Sequence, residues 1–254
     1  MSDDITKVNN NDGPKPQSIQ DMFKPKKWGI GAKKEAAKAA IAELNPNESE
    51  HRLGIIFDDS GSMADIVDDK SKIEHAQAGI RNFSHQCNPK DASLAIYPLN
   101  KEAQKLTCNY DVFNMYVITI GPTGGTPLYT KTLQMLNECD ITRGVLFSDG
   151  DPTDGSGYYS HIEDSENAER QSLKEQVISV AVAKKIPLDC IFIGYEDTNG
   201  YKVMKELADR TGGTFVHFKD AKSLGMGLKY LAPALRGLLT NPELKAKIEK
   251  GETI

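Results

Sequence analysis

From residue 53 onward, short unbroken apolar runs alternate with segments of helical spacing, and few architectures accept that order. Leu53 to Phe57 (LGIIF), Gly144 to Ser148 (GVLFS) and Leu188 to Ile193 (LDCIFI) are apolar almost throughout, so each reads as a strand buried on both faces. Ser93 to Leu99 and Lys105 to Tyr110 read as two further strands joined by Asn100-Lys101-Glu102, Tyr116 to Ile120 as another, and Thr214 to Phe218 as the last. Between them, Ser71 to Cys87 places Ile73, Ala76, Ile80, Phe83 and Cys87 at alternate spacings of three and four, which predicts a helix. Thr126 to Asn137, with Pro127 at its first helical position, Glu169 to Lys185, and Tyr201 to Arg210, stopped by Gly212-Gly213, are the other helices. Leu224, Leu228, Leu231, Leu235 and Leu238 keep helical spacing across Pro233, which must bend or split that element. Buried strands alternating with helices predict an α/β fold: a Rossmann-like, doubly wound, mostly parallel central sheet flanked by helices. Ligands in such sheets bind at the carboxyl ends of the strands, in the crevice where strand order reverses. The loops after Phe57, before Thr126 and after Ser148 are therefore where chemistry is expected.

The rest of the chain is organised around that body. Residues 1 to about 31 are rich in Asn, Asp, Lys, Pro and Gly and show no apolar period, and Lys33 to Leu44 (KKEAAKAAIAEL) is a strong local helix stopped by Asn45-Pro46-Asn47. Residues 1–50 thus read as a flexible basic tail with a short helix, 51–240 as the folded domain and 241–254 as a C-terminal tail. A formal net charge of -5 argues against a protein that coats nucleic acid. No apolar run is long enough to span a bilayer, and the first twenty residues hold no apolar core, so neither a membrane segment nor a secretory signal is expected. Cys87, Cys108, Cys139 and Cys190 form no C-x-x-C pair; reduced thiols in a cytoplasmic protein are the simplest reading.

The loop after the first strand reads Asp58-Asp59-Ser60-Gly61-Ser62-Met63. In an extended turn alternate side chains point the same way, so one carboxylate and two hydroxyls converge from Asp58, Ser60 and Ser62. Oxygen-only donors suit Mg²⁺ or another hard divalent ion, which with so few protein charges keeps waters and an open position. Gly124-Gly125-Thr126-Pro127 adds a hydroxyl at a helix start, and Ser148-Asp149-Gly150-Asp151 adds a carboxylate at the tip of a buried strand. A DSGS turn alone is an ordinary helix cap; Thr126 and Asp149 in the right loops make it more.

FDDSGSM, GGTPL and FSDGDPTDG resemble the three signature segments of the von Willebrand factor type A (vWA) domain, in order and over roughly residues 51 to 240. The resemblance implies the vWA fold and a complete metal-ion-dependent adhesion site. Ser60, Ser62 and Thr126 would approach a Mg²⁺ (or Mn²⁺ or Ca²⁺) through hydroxyls, and Asp58 and Asp149 largely through water. It also implies a sixth position left for an acidic side chain of a partner protein, and no catalytic residues. In that family the Thr contact changes as the last helix shifts; here that is the 221–239 segment with its Pro233. Intracellular members often serve beside an AAA-type ATPase, so an adaptor subunit in a chaperone-like or metal-insertion complex is the alternative implied. Two departures stand out: Tyr116 to Ile120 looks extended where many members carry a short helix, and residues 154 to 168, with Tyr158 and Tyr159, form a polar insertion beside the metal face.

Rival chemistries fit less well. Ser60 stands where phosphatases with D-x-D need a second acid, and the loop offers no general acid. One string cannot supply both the serine and the aspartate of a subtilisin-like triad. A hydrolase built on Ser62 lacks a positioned base. Met63 occupies the glycine position of an EF-hand loop, and no Walker-type phosphate loop occurs. Asp65 matches one position of a neighbouring calcium site in some integrins, but Ile66 replaces the next acid, so Asp65, Asp68 and Asp69 read as a solvated acidic loop. His51, His75, His85, His161 and His217 show no ligand spacing, and Trp28 among lysines reads as solvated tail. Ser18 to Phe23 is similar to peptides with which replication proteins dock on a sliding clamp, burying here Ile19, Met22 and Phe23.

Overall fold

The computed structural model describes residue 35 and residues 38–67, 69–154 and 168–218. Contacts divide the chain into Met1–Ala39 and Ala40–Ile254, and every element named below belongs to the second unit. Residues 19, 22, 23, 28, 68 and 161, the 155–167 part of the polar insertion and the 221–239 segment lie outside the described residues.

Among the described residues from His51 onward, eight strands and five α-helices follow in the order β1 (His51–Phe57), β2 (Ile66–Val67), β3 (Lys70–Ser71), α1 (Lys72–Gln86), β4 (Ala92–Pro98), β5 (Gln104–Thr107), α2 (Tyr110–Val117), α3 (Leu128–Glu138), β6 (Arg143–Ser148), α4 (Ala168–Lys184), β7 (Leu188–Ile193), α5 (Asn199–Thr211) and β8 (Phe215–Phe218). The main sheet has the order β5-β4-β1-β6-β7-β8 and is parallel except for the β4–β5 pair. This is the doubly wound α/β sheet that the apolar runs predict.

Burial explains the order. β4 and β7 are buried at every position, and β1 from Leu53 to Phe57, so each needs helices on both faces. One core layer joins α1 and α2 to the sheet through Ile73, Ile80, Phe83 and Phe113; the other joins α3, α4 and α5 through Leu136, Val177 and Leu207. The chain leaves β1 towards β4 on one side, and leaves β6 towards β7 on the other. The switch point therefore lies between the carboxyl ends of β1 and β6, at Asp58 and Asp149.

Local chemistry fixes the helix starts. The Ser71 hydroxyl accepts from the Glu74 amide while the Glu74 carboxylate accepts from the Ser71 amide, a complete capping box at α1. Pro127 precedes α3 rather than occupying its first helical position, and it has no side-chain acceptor to offer. The Asp154 carboxylate caps that helix instead, accepting from the Tyr129 and Thr130 amides at 2.9 and 2.8 Å. Gly212 closes α5 with φ of 73°, the left-handed cap that glycine adopts without strain.

Tyr116 to Ile120 is not a strand. Tyr110–Val117 forms α2, capped by the Asn109 side chain, with Tyr110, Phe113, Asn114 and Val117 buried at spacings of three, one and three. YVITI shows only the end of that period, where β-branched residues imitate a strand. The chain thus carries a helix where its sequence looked extended. β5 ends at Thr107, short of Tyr110, because Asn109 turns the chain into α2. The acidic stretch after Asp65 is a small antiparallel hairpin, β2–β3, with Asp69 at φ of 67° in its turn. None of the four cysteines is joined in a disulfide. His75 and His217 bond to backbone carbonyls of Val67 and Gly194. Among the described residues no helix is long and apolar enough to cross a membrane.

Candidate metal centre

Three loops meet above β1 and β6. The Gly61 amide donates to the Gly124 carbonyl at 3.1 Å and the Thr123 amide to the Asp59 carbonyl, which ties the first loop to the second. The Thr126 amide donates to the Thr153 hydroxyl at 2.7 Å, and the Thr153 amide returns a bond to the Thr126 carbonyl at 2.8 Å, which ties the second to the third. Asn100, just past β4, locks the underside: its amide and side chain donate to Asp59 Oδ1, and its side chain also donates to the Gly125 carbonyl.

Within this frame the side chains form a continuous polar chain. The Ser60 and Ser62 hydroxyls are 3.0 Å apart, and Ser62 Oγ donates to Asp149 Oδ1 at 2.8 Å, across 87 residues of sequence. Asp58 is fully buried; its Oδ1 accepts from the Ser60 amide at 2.8 Å and its Oδ2 from the Ser148 hydroxyl. Thr126 is buried, and its hydroxyl lies 3.3 Å from where a Cβ on Gly150 would stand, next to Asp149. Asp58, Ser60, Ser62, Thr126 and Asp149 thus come to one rim. The route differs from a simple extended alternation: Gly61–Ala64 is a turn of 3₁₀ helix, and that turn brings Ser62 back over Ser60.

Burial dominates the electrostatics of the two inner carboxyls. Burial, then the nearby charge of Asp149, pushes the Asp58 carboxyl up to about 6, although hydrogen bonds from Ser148 and Ser60 work the other way. Asp59, also fully buried, is raised by burial against its bonds from Asn100.

Sequence reasoning named neither Ser148 nor Lys72 as part of the centre. Ser148 ends β6, and its hydroxyl orients Asp58. Lys72 is the first residue of α1, and its ammonium sits 2.7 Å from Asp149 Oδ2 and 2.9 Å from Asp65 Oδ2. One signal was available: a cation in the first turn of a helix opposes the helix dipole, so a lysine there needs an acid to hold it.

Comparison with solved structures identifies the fold. A von Willebrand factor type A protein from Catenulispora acidiphila matches with a TM-score of 0.55 at 20% identity, over 74% of this chain and 43% of that one. Proximal thread matrix protein 1 from the mussel byssus matches with a TM-score of 0.53 at 12% identity, over 72% of this chain and 45% of that one. The chain spans less than half the length of either. No family model matches the sequence, and no curated protein matches it. The fold is that of the vWA domain.

The donor set fits a hard divalent cation. Among the described residues no group of three or more His, Cys, Asp or Glu side chains stands together, so transition-metal sites built on imidazole or thiolate have no counterpart here. The rim offers oxygen atoms alone: two buried carboxylates and three hydroxyls, two of them already in hydrogen-bond contact. That is the donor chemistry of Mg²⁺ or Mn²⁺.

Proposed function

We propose that this vWA domain is a protein-binding module whose rim holds a divalent ion, Mg²⁺ or a similar one, through Ser60, Ser62 and Thr126, with Asp58 and Asp149 completing the charge. The observation that carries the reading is the hydrogen-bonded run Ser60–Ser62–Asp149 at the switch point of the sheet, with buried Asp58 beneath it. The hydroxyls contribute no charge, so a bound ion would keep its appetite for an incoming carboxylate and offer it an open position. The chain's own part is positional. Ser148 and the Ser60 amide hold Asp58 still, Asn100 and Thr153 fix the loops, and a partner supplies an acidic side chain. Binding rather than catalysis is the proposed role, because the carboxylate beside the Ser62 hydroxyl, Asp149, is already engaged by the Lys72 ammonium. The vWA likeness supports an interaction module in general; the oxygen-only donor set supports the metal.

The test is capture of partners from the source cell on immobilised full-length protein, followed by elution with EDTA. Release of the same proteins by EDTA, and their absence from an Asp149→Ala column, is expected. Partners that survive EDTA and bind the variant equally well would refute a metal bridge.

A further inference from the structure

The Lys72 ammonium occupies a position that a cation-binding rim does not need. It is paired at once with Asp149, whose side chain is only 2% exposed, and with Asp65, whose side chain is 66% exposed. It is therefore strung between an inner acid that belongs to the centre and an outer acid that does not. Residue 65 also holds residue 72 through the backbone, because the Lys72 amide donates to the Asp65 carbonyl at 2.9 Å. If the ammonium left Asp149, its second partner would already be in contact. Its ammonium stands at the first position of α1, where the helix dipole disfavours a cation.

We propose that Lys72 is a tethered cation that holds Asp149 in the ion-free state and must give it up to Asp65 when a divalent ion binds, so that the Lys72–Asp65 pair sets the affinity of the rim for its metal. This rests on the metal reading above and adds a regulator to it. A divalent ion and an ammonium compete for one carboxylate. Apparent affinity falls by the fraction of molecules in which Asp149 is free. Asp65 lowers the cost of release by keeping the displaced ammonium paired.

Calorimetric titration of the full chain with Mg²⁺ and with Mn²⁺ tests this, using wild type, Lys72→Met, Asp65→Asn and the double variant. Met keeps the stem of Lys72 and removes the charge. Asp65→Asn alters an exposed side chain and leaves the fold alone. Lys72→Met is expected to tighten Mg²⁺ binding by about tenfold or more. Asp65→Asn is expected to weaken wild type by about threefold or more, and to weaken the Lys72→Met protein clearly less, since its carboxylate then has no ammonium to receive. Equal affinity in wild type and Lys72→Met, or an Asp65→Asn effect identical in both backgrounds, overturns the inference and leaves the metal site standing. Binding by Lys72→Met but not by wild type supports both. Binding by neither overturns the metal reading and the inference together.

Discussion

Asp149→Ala is expected to weaken Mg²⁺ binding by about 100-fold or more while leaving the sheet folded. The magnitude follows from position. Asp149 carries one of two buried carboxylates at the rim and anchors the Ser62 hydroxyl. Removing a partner that merely orients a metal ligand costs roughly 10- to 100-fold; removing a charge of the centre itself costs at least the upper end. The fold survives because Asp149 lies just past the end of β6, with its strand pairing ending at Ser148. The Lys72 ammonium released by the substitution keeps Asp65, so no buried charge is stranded. Titration calorimetry reads the affinity, and thermal melting in EDTA reads the fold. A variant that binds Mg²⁺ as wild type does, at unchanged melting temperature, would remove Asp149 from the centre.

Gly213→Ala is expected to produce the largest loss of stability of any alanine substitution at a described glycine. A Cβ at Gly213 would stand 1.9 Å from the Leu188 carbonyl oxygen, 2.4 Å from its carbon and 2.9 Å from the Asp189 amide nitrogen. All three atoms are backbone of β7, so no rotamer change relieves the contact. Either α5 and its exit must lift away, or the β7–β8 pairing must open, including the bond from the Cys190 amide to the Thr214 carbonyl. Overpacking of this kind costs about 3 kcal/mol or more, which in a domain of this size lowers the melting temperature by roughly 6–12 °C. The clash lies at the opposite end of β7 from the proposed metal site, so Mg²⁺ affinity below the transition should stay as in wild type. A melting temperature within a degree or two of wild type would mean that the α5–β8 turn sits farther from β7 than described.

What the sequence revealed depended on whether a residue's neighbours were near it in the chain. Leu188–Ile193 is legible because a strand buried on both faces has no polar alternation to mislead, and its observed limits are those of the apolar run. α1 is legible because its periodic apolar face lies within a few turns of chain. α2 was misread because β-branched residues at its end outweighed a burial period that begins at Tyr110. Pro127 was placed one position too deep, since the carboxylate that caps α3 comes from Asp154, about 25 residues on. At the rim, the five candidate residues were visible in three short loops, but how they meet was not. Ser62 reaches Asp149 across 87 residues and Lys72 reaches it across 77, contacts that no local pattern encodes. The lysine is the main omission, because its pairing with Asp149 exists only in the folded chain.

The most direct test is a crystal structure of the full chain soaked in Mn²⁺, with data collected at the manganese absorption edge. The account predicts one anomalous peak at the carboxyl ends of β1 and β6, in contact with the hydroxyls of Ser60 and Ser62, and Lys72 turned from Asp149 to Asp65. No peak at saturating Mn²⁺, with the Lys72 ammonium still against Asp149, would contradict it.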